Sequence, residues 1–216
     1  MLAHEPKSRS DRSAGSGGVR QGILAAARQV IVHQGVPKLT LEAVAAQAGI
    51  SKGGLLYHFP TKEAMLQGLL MEYHCGFLQA CRGHYMLDPL PDRPGRIHRA
   101  WIRTSRVGLP DDHEMDLRDI GAIVTNPALA EPLGHFWNSW DAIVRKDGLD
   151  EATALVIRTS LTGFKMMKTL GAPIGPEIHG VLYARLETMA TPDVGTIVYD
   201  EQLAWDACVC DAWKGK

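Results

Sequence analysis

The chain has 216 residues, of which 45% are hydrophobic and 22% charged, so it can bury a sizeable core. No apolar run approaches the roughly 20 residues of a membrane-spanning helix. The polar start MLAHEPKSRSDRSAGSGGVR also lacks the apolar centre of a secretory signal, and we therefore expect a cytoplasmic protein without membrane contact. The net charge of −1 is unevenly spread: residues 1–62 carry eight Lys/Arg against three Asp/Glu, whereas residues 63–216 carry fifteen against twenty-one.

The first 34 residues change character at position 19. Residues 1–18 combine Lys7, Arg9 and Arg12 with a Gly/Ser cluster and almost no apolar side chain, which predicts a disordered basic arm. Such an arm can add affinity for nucleic acid, or it can be a solvated tail without a role. An apolar stripe then predicts a first helix over residues 19–34, which Gly35 ends.

The stretch LEAVAAQAGISKGGLLYHFPTK, residues 41–62, predicts a helix, a tight turn, a second short helix and the start of a third. Gly49 ends the first of these helices, because glycine adopts a left-handed C-terminal conformation without steric cost. Ser51 has the residue type that caps the next helix. Proline disfavours helical geometry in the residue before it, so the short helix should end at Phe59-Pro60.

The short helix contains an unusual pair, Gly53 and Gly54, each of which costs roughly 1 kcal/mol of helix propensity relative to alanine. A helix whose first turn lacks side chains can bring its backbone close to a partner surface. The spacing of small Ala45, turn-forming Gly49 and apolar Leu55 is typical of a helix-turn-helix. Together with the positive charge of this end of the chain, these features indicate DNA as the partner.

Several short motifs follow one another through this region. They are Thr40-Leu41, Val44-Ala45, Ala48-Gly49-Ile50-Ser51, Gly53, Leu56-Tyr57-His58-Phe59 and Thr61-Lys62-Glu63. With them, residues 19–69 resemble the N-terminal domain of the TetR family of bacterial transcriptional regulators. The resemblance implies an all-α fold, with a three-helix DNA-binding domain over residues 19–64 and a larger helical effector-binding and dimerisation domain over residues 65–216. It also implies that a shift of the helix after the DNA-binding domain transmits the effector signal.

The predicted contacts with a double-stranded DNA operator fall into two groups. The resemblance implies phosphate contacts from Thr40, Tyr57, His58 and Lys62. The turn that enters the major groove contains Ser51, Lys52, Gly53 and Gly54, with Leu55 nearby. A lysine at this place can donate hydrogen bonds to guanine.

The second half of the chain is predicted to be helical throughout. The predicted segments are a long helix capped by Thr61 and ending near Gly83, then Arg96 to Val107, Glu114 to Val124, Asn126 to Gly148, a helix capped by Asp150 or a neighbour and ending near Leu170, Glu177 to Met189, and a short helix over Glu201 to Trp213. The helices near residues 150–170 and 177–190 are apolar on more than one side. Since Ser160 and Gly163 allow close approach, we predict a homodimer through these two helices, as in the family that the chain resembles.

Large aromatic and methionine side chains are concentrated in the half of the molecule where that family keeps its pocket, and such side chains can line an adaptable cavity. The predicted ligand-binding residues are Tyr73, Trp101, Phe136, Trp137, Trp140, Phe164 and Met167. Candidates for polar contacts are Arg103, His135, Asn138 and Thr162. The pattern predicts a small, mainly apolar or aromatic effector, although any one of the aromatic residues can also be ordinary core.

Cys75, Cys81, Cys208 and Cys210 lack the paired spacing of a zinc site. We expect free thiols, with a metal or redox sensor built from Cys75, Cys81, His74 and His84 as the alternative.

No phosphate-binding glycine loop, nucleophile elbow or HExxH motif is present, so no catalytic residue, metal ligand or cofactor is predicted. The sequence predicts a transcriptional repressor that an effector releases from a palindromic operator. The alternative is a helical small-molecule sensor that does not bind an operator.

Overall fold

The computed structural model describes residues 9–109 and 126–193. Within these ranges the chain forms α-helices, three 3₁₀ turns and no strand, which confirms the all-α prediction. The helices are α1 (Arg9–Gln34), α2 (Leu41–Ala48), α3 (Lys52–His58), α4 (Lys62–Met86), α5 (Arg96–Val107), α6 (Ala130–Val144), α7 (Glu151–Thr169) and α8 (Pro176–Met189). The helices predicted over residues 114–124 and 201–213 lie outside the described residues.

Local signals in the sequence correctly mark most helix starts. The side-chain oxygens of four cap residues each accept a hydrogen bond from a backbone N–H three residues later, at 2.9 to 3.1 Å. These caps are Thr40, Ser51, Thr61 and Asp150. Each cap satisfies one of the N–H groups that a helix leaves without a partner in its first turn.

The first helix begins at Arg9 rather than at Val19. It therefore includes part of the segment for which disorder was predicted. The ten added residues are mostly serine, glycine and charged residues, so no apolar stripe marks the helix start in the sequence. At its other end α1 stops at Gly35, whose φ of 81° lies in the region that favours glycine.

The chain divides into two compact units, Met1–Leu70 and Met71–Lys216, with the boundary inside α4 rather than at residue 64. The first turns of α4 belong to the first unit because they pack on its core. A Cβ atom on Gly68 would lie 2.9 Å from the Phe59 ring and 3.1 Å from Leu24, so only glycine allows this approach. The buried apolar side chains of this unit come from all four helices and the connection between α1 and α2. They include Ile23, Leu24, Ala27, Val30, Ile31, Leu39, Val44, Leu55, Phe59, Met65 and Leu69.

The core of the second unit is formed by α4, α5, α6, α7 and α8. Its buried members are Leu78, Cys81, Tyr85, Ile97, Ala100, Trp101, Ile102, Trp140, Ile143, Val144, Ile157, Leu161, Leu186 and Ala190. Most of α5 is buried, including Arg99, which is only 1% exposed. The Arg99 guanidinium donates to the Asp88 carboxylate and to the backbone carbonyls of Pro94, Leu90 and Ala190, so its burial is compensated.

The first turn of α5 is capped from a distant part of the chain. Its cap residue, Gly95, has no side chain to offer, and the carboxylate of Asp147 accepts hydrogen bonds from the N–H groups of Ile97 and His98 instead. The N–H of Gly95 donates to the backbone carbonyl of Asp147 at 2.7 Å. These hydrogen bonds hold the 3₁₀ turn Arg145–Asp147 against the first turn of α5. Among the described residues no helix is long and apolar enough to cross a membrane.

Candidate nucleic-acid interface and effector region

The segment from α2 to α3 has the geometry of a helix-turn-helix. Gly49 ends α2 in the left-handed conformation, with φ 66° and ψ 29°, and the N–H of Ile50 returns to the carbonyl of Ala45 at 3.1 Å. These bonds satisfy carbonyls at the helix end and turn the chain sharply. Ser51 then starts α3 by accepting from the N–H of Gly54. The sequence-based predictions of the turn and of the end of α3 before Phe59 are confirmed.

The exposed side of α3 carries most of the residues predicted to contact DNA. Lys52, Gly53 and Gly54 are exposed, and nothing lies within 4 Å of a Cβ atom placed on Gly53. Tyr57 is 84% exposed, and its ring meets the ring of His58 edge to face at 5.1 Å. The first turns of α3 therefore present bare backbone to the surroundings, followed by an aromatic pair at the end of the helix.

Leu55, which was counted among the DNA contacts, is a packing residue of the helix-turn-helix. Its side chain is completely buried, so it cannot reach a DNA surface, and its inclusion among the DNA contacts was wrong. It holds α3 against the core of the first unit. The same residue type is needed at this place for the packing of a helix-turn-helix, which explains why spacing alone associated it with the interface.

Two basic residues have partners that the sequence did not indicate. The Lys52 ammonium lies 2.6 Å from the Glu42 carboxylate of α2, and both side chains are largely exposed. The hydrogen bond from Lys52 holds the pKa of Glu42 below its usual value. Lys62, at the start of α4, is half-buried and donates to the carbonyl of Val36 at 3.5 Å. Both contacts join residues from separate elements, which a helical periodicity does not show.

The predicted effector residues are only partly brought together. Trp101 and Trp140 are buried, and their rings meet edge to face at 5.0 Å. Phe77, which the prediction missed, joins them at 6.0 Å from Trp101 and 6.3 Å from Trp140. We call Phe77, Trp101 and Trp140 the aromatic cluster. The missed member lies on the same helix as Tyr73, one turn later, and the apolar stripe of α4 could have identified it.

The other predicted effector residues lie outside the aromatic cluster. Phe164 is buried and contacts the rings of His179 and Tyr183. The hydroxyl of Tyr73 accepts a hydrogen bond from Lys165 at 3.0 Å. Trp137 and Met167 are 53% and 50% exposed. The side chain of Phe136 lies outside the described part of the structure.

The expectation of free thiols is wrong for Cys75, which is disulfide-bonded. Cys81 is a free thiol in the core, where burial raises its pKa to about 12 and makes the thiolate form unfavourable. Its hydrogen bond with Thr104 opposes this shift. Among the described residues no group of three or more His, Cys, Asp or Glu side chains could hold a metal ion.

Comparison with known proteins places both units in one family. Residues 23–69 match the family described as "Bacterial regulatory proteins, tetR family", and residues 95–191 match "Tetracyclin repressor-like, C-terminal domain". The chain is 40% identical over 83 residues to the "Uncharacterized HTH-type transcriptional regulator TtgW" of Pseudomonas putida, which covers 38% of this chain and 54% of that protein. It is 39% identical over 83 residues to the "HTH-type transcriptional regulator SrpR" of the same species, covering 38% and 34%. The chain thus spans about half and a third of these relatives.

Similar solved structures extend over most of the chain. The multidrug binding protein EbrR complexed with imidazole is 25% identical, with a TM-score of 0.56 over 82% of this chain and 96% of that one. The transcriptional regulator SCO7518 from Streptomyces coelicolor A3(2) is 18% identical, with a TM-score of 0.60 over 81% and 99%, and it shows the shared fold alone. Two family matches, one in each unit, and a common fold lead to one conclusion: this chain belongs to the TetR family of bacterial transcriptional regulators.

Proposed function

We propose that this protein is a repressor that binds a near-palindromic operator as a homodimer and leaves it when a small, mainly apolar or aromatic molecule binds. The observation that carries the proposal is the exposed first turn of α3, where Gly53 and Gly54 leave the backbone uncovered behind the Ser51 cap. The family consists of DNA-binding regulators rather than enzymes, which agrees with the absence of a catalytic motif from the sequence.

The uncovered turn is suited to the major groove. A glycine pair lowers the stability of a helix, so its presence in a seven-residue helix requires a compensating role. Without side chains, the backbone can approach base edges and phosphates closely, while Lys52 extends from the same turn. Residues 1–62 carry a net charge of +5, which favours a polyanionic partner.

The proposed homodimer follows from the two faces of α7, one of which is buried within the subunit while the other is exposed. One face of this helix is buried in its own subunit through Ala154, Ile157, Leu161 and Phe164. Large apolar side chains are nevertheless exposed on the rest of α7, just after it and on α8: Leu155, Val156, Met166, Met167, Leu170, Ile178 and Val181. A second copy of the chain covers both helices in the proposed dimer, which also matches a palindromic operator by symmetry.

The aromatic cluster of the second unit supports the proposed class of effector. The aromatic cluster supplies large, weakly polar surfaces of the kind that bind apolar or aromatic molecules. EbrR, which is similar to this chain over both units, is described as a multidrug binding protein. This similarity supports a small organic molecule as the effector.

A gel shift with DNA flanking the protein's own gene tests the proposal. We expect a discrete complex with the wild type and its loss in Gly53→Leu, whose new side chain would keep the groove away from α3. Gly83→Leu is the matched control, because Gly83 is also an exposed helical glycine without neighbouring atoms but lies in the second unit. If the wild type fails to shift this DNA while it still binds small molecules, the alternative of a sensor without operator binding is supported instead.

A further inference from the structure

His98 of α5 is a completely buried histidine with one uncompensated ring nitrogen. Its Nδ1 lies 2.5 Å from the carboxylate of Asp147, and both side chains are inaccessible to solvent. Within the described part of the chain, its Nε2 has no hydrogen-bond partner. Buried polar atoms in folded proteins almost always have a partner, so this nitrogen requires an explanation.

The contacts of Asp147 determine the role of that nitrogen. The Asp147 carboxylate accepts from the N–H of Ile97 at 2.7 Å and from the N–H of His98 at 2.9 Å. Both oxygens of the Asp147 carboxylate act as acceptors of backbone N–H groups, so we assign the proton of the imidazole to Nδ1, from where it is donated to Asp147. A protonated ring would bury a charged N–H at Nε2 without an acceptor, which costs more than an unfilled lone pair, so we assign the neutral ring, in which Nε2 is a hydrogen-bond acceptor.

The surroundings of His98 indicate what fills this acceptor. Its ring is stacked on Trp101 at a centroid distance of 6.5 Å and an interplanar angle of 26°. Trp101 in turn belongs to the aromatic cluster. The His98 ring therefore lies beside the apolar surfaces that the proposed function assigns to the effector.

We propose that Nε2 of His98 accepts a hydrogen bond from the effector, which is thus an aromatic or apolar molecule carrying one hydroxyl or N–H donor. The inference rests on the proposed effector-regulated function and adds a chemical requirement to it. Asp147 acts as a positioning residue, because it holds the ring orientation and the tautomer. A purely apolar molecule of the same shape would leave the acceptor unsatisfied and bind less tightly.

Two probes that differ only in the donor test the requirement. 1-Naphthol carries a hydroxyl donor, and 1-methoxynaphthalene has the same ring system without it. The quenching of tryptophan fluorescence by each compound should give a Kd for 1-naphthol about tenfold lower in the wild type. His98→Asn keeps an N–H donor for Asp147 but removes Nε2, so the two Kd values should become equal. His33→Asn, which changes an exposed histidine of α1, should retain the wild-type preference.

The results separate this inference from the proposed function. A preference for 1-naphthol that persists in folded His98→Asn overturns the inference, as does failure of the wild type to bind either compound. The preference would also persist in His98→Asn if an internal water, rather than the effector, donated the hydrogen bond to Nε2. The operator gel shift without any compound is an independent readout of the proposed function. If His98→Asn does not fold, ¹⁵N NMR of the histidine-labelled wild type takes its place. We then expect 1-naphthol to shift the Nε2 resonance of His98 more than 1-methoxynaphthalene does, and equal shifts with the two compounds overturn the inference.

Discussion

Lys52, the first residue of α3, forms an ion pair with Glu42 of α2 across the turn of the helix-turn-helix, with 2.6 Å between Nζ and Oε1. Both side chains are more than half exposed, at 58% and 63%. Water competes for both ions at such a site, so the pair contributes little to stability and can be broken when a better partner approaches. The ion pair therefore holds Lys52 near the proposed major-groove surface, and Lys52 can still exchange Glu42 for DNA.

Lys52→Gln should change sequence preference more than total affinity, since a lysine in the major groove discriminates guanine from other bases. We expect the wild type to lose affinity when a guanine in the half-site is replaced and Lys52→Gln to lose much less. Binding to a panel of operators with single base changes measures this difference. Glu42→Gln is the companion variant: it leaves Lys52 in place without its partner and should raise affinity for all DNA. Equal discrimination by wild type and Lys52→Gln would contradict the assignment of Lys52 as a reading residue.

Lys62→Ala should weaken binding to specific and unrelated DNA alike, because the residue is predicted to contact phosphate. One lost phosphate contact should reduce the slope of log K against log salt concentration by about one. Fluorescence anisotropy over a range of salt concentrations gives the slope. Lys146→Ala is the control, since Lys146 is an exposed lysine of the second unit, and its slope should equal that of the wild type. An unchanged slope in Lys62→Ala would assign this lysine only to its hydrogen bond with Val36.

Gly53→Leu should increase stability while it weakens operator binding. A Cβ atom at Gly53 meets no other atom, so the substitution should gain roughly 0.5 kcal/mol of helix propensity. Gly54→Leu should weaken binding similarly with a smaller gain, because its Cβ would lie 3.3 Å from the Ser51 oxygen that caps the helix. Thermal unfolding and operator titration of both variants check the expectation. Operator affinity that survives both substitutions would show that α3 is not the reading helix.

Gly163→Arg should convert the proposed dimer into monomers, because it places a charge on the exposed face of α7. The substitution itself causes no clash within the subunit, since nothing lies within 4 Å of a Cβ atom at this position. Gly83→Arg introduces the same side chain at another exposed helical glycine and should remain dimeric. Light scattering gives the mass of each variant. A mass of one chain for the unmodified protein would exclude the dimer.

The protein should lose stability as the pH falls below neutrality, partly because of His74. Burial lowers the pKa of His74 from 6.5 to about 4. Between these values the unfolded chain takes up a proton that the folded chain excludes, so stability is complete above about pH 6.5 and decreases below it. The contribution amounts to about 2 kcal/mol between pH 7 and pH 5.

Urea unfolding of wild type and His74→Gln over this pH range measures that contribution. The variant should show a smaller loss of stability on acidification, since glutamine does not titrate. His33→Gln, at an exposed position of α1, should behave like the wild type. Parallel pH profiles for the wild type and His74→Gln would show that His74 takes up its proton equally well in both states.

The parts of the structure that the sequence predicted correctly depend on neighbours along the chain. The Asp150 cap and the Gly49 turn are local, because the interacting atoms are at most a few residues apart. Arg99 is buried instead through contacts that are distant in sequence, and its partners include the carbonyl of Ala190, 91 residues away. Only the folded chain brings such groups together.

The candidate site could likewise be predicted where the signal is local in sequence and not where it depends on distant contacts. The bare turn of α3 could be predicted, since the glycine pair is visible in the sequence itself. The effector region could be predicted only as a composition of aromatic residues. Tertiary packing determines which of these rings are in contact. It brings Phe77 next to Trp101 and leaves Trp137 exposed. The partner of the His98 ring, Asp147, is 49 residues away in sequence and had no local signal.

The short α3 has a consequence for how operator occupancy depends on folding. A seven-residue helix containing two glycines is far below the length at which a helix persists alone in water. It exists because Leu55 and Phe59 are anchored in the core of the first unit. The proposed DNA-reading surface therefore appears and disappears with that core, and local unfolding competes directly with binding. Operator DNA should raise the melting temperature of the first unit, and a cavity-forming change at Leu55, remote from any base, should reduce repression like a lost contact.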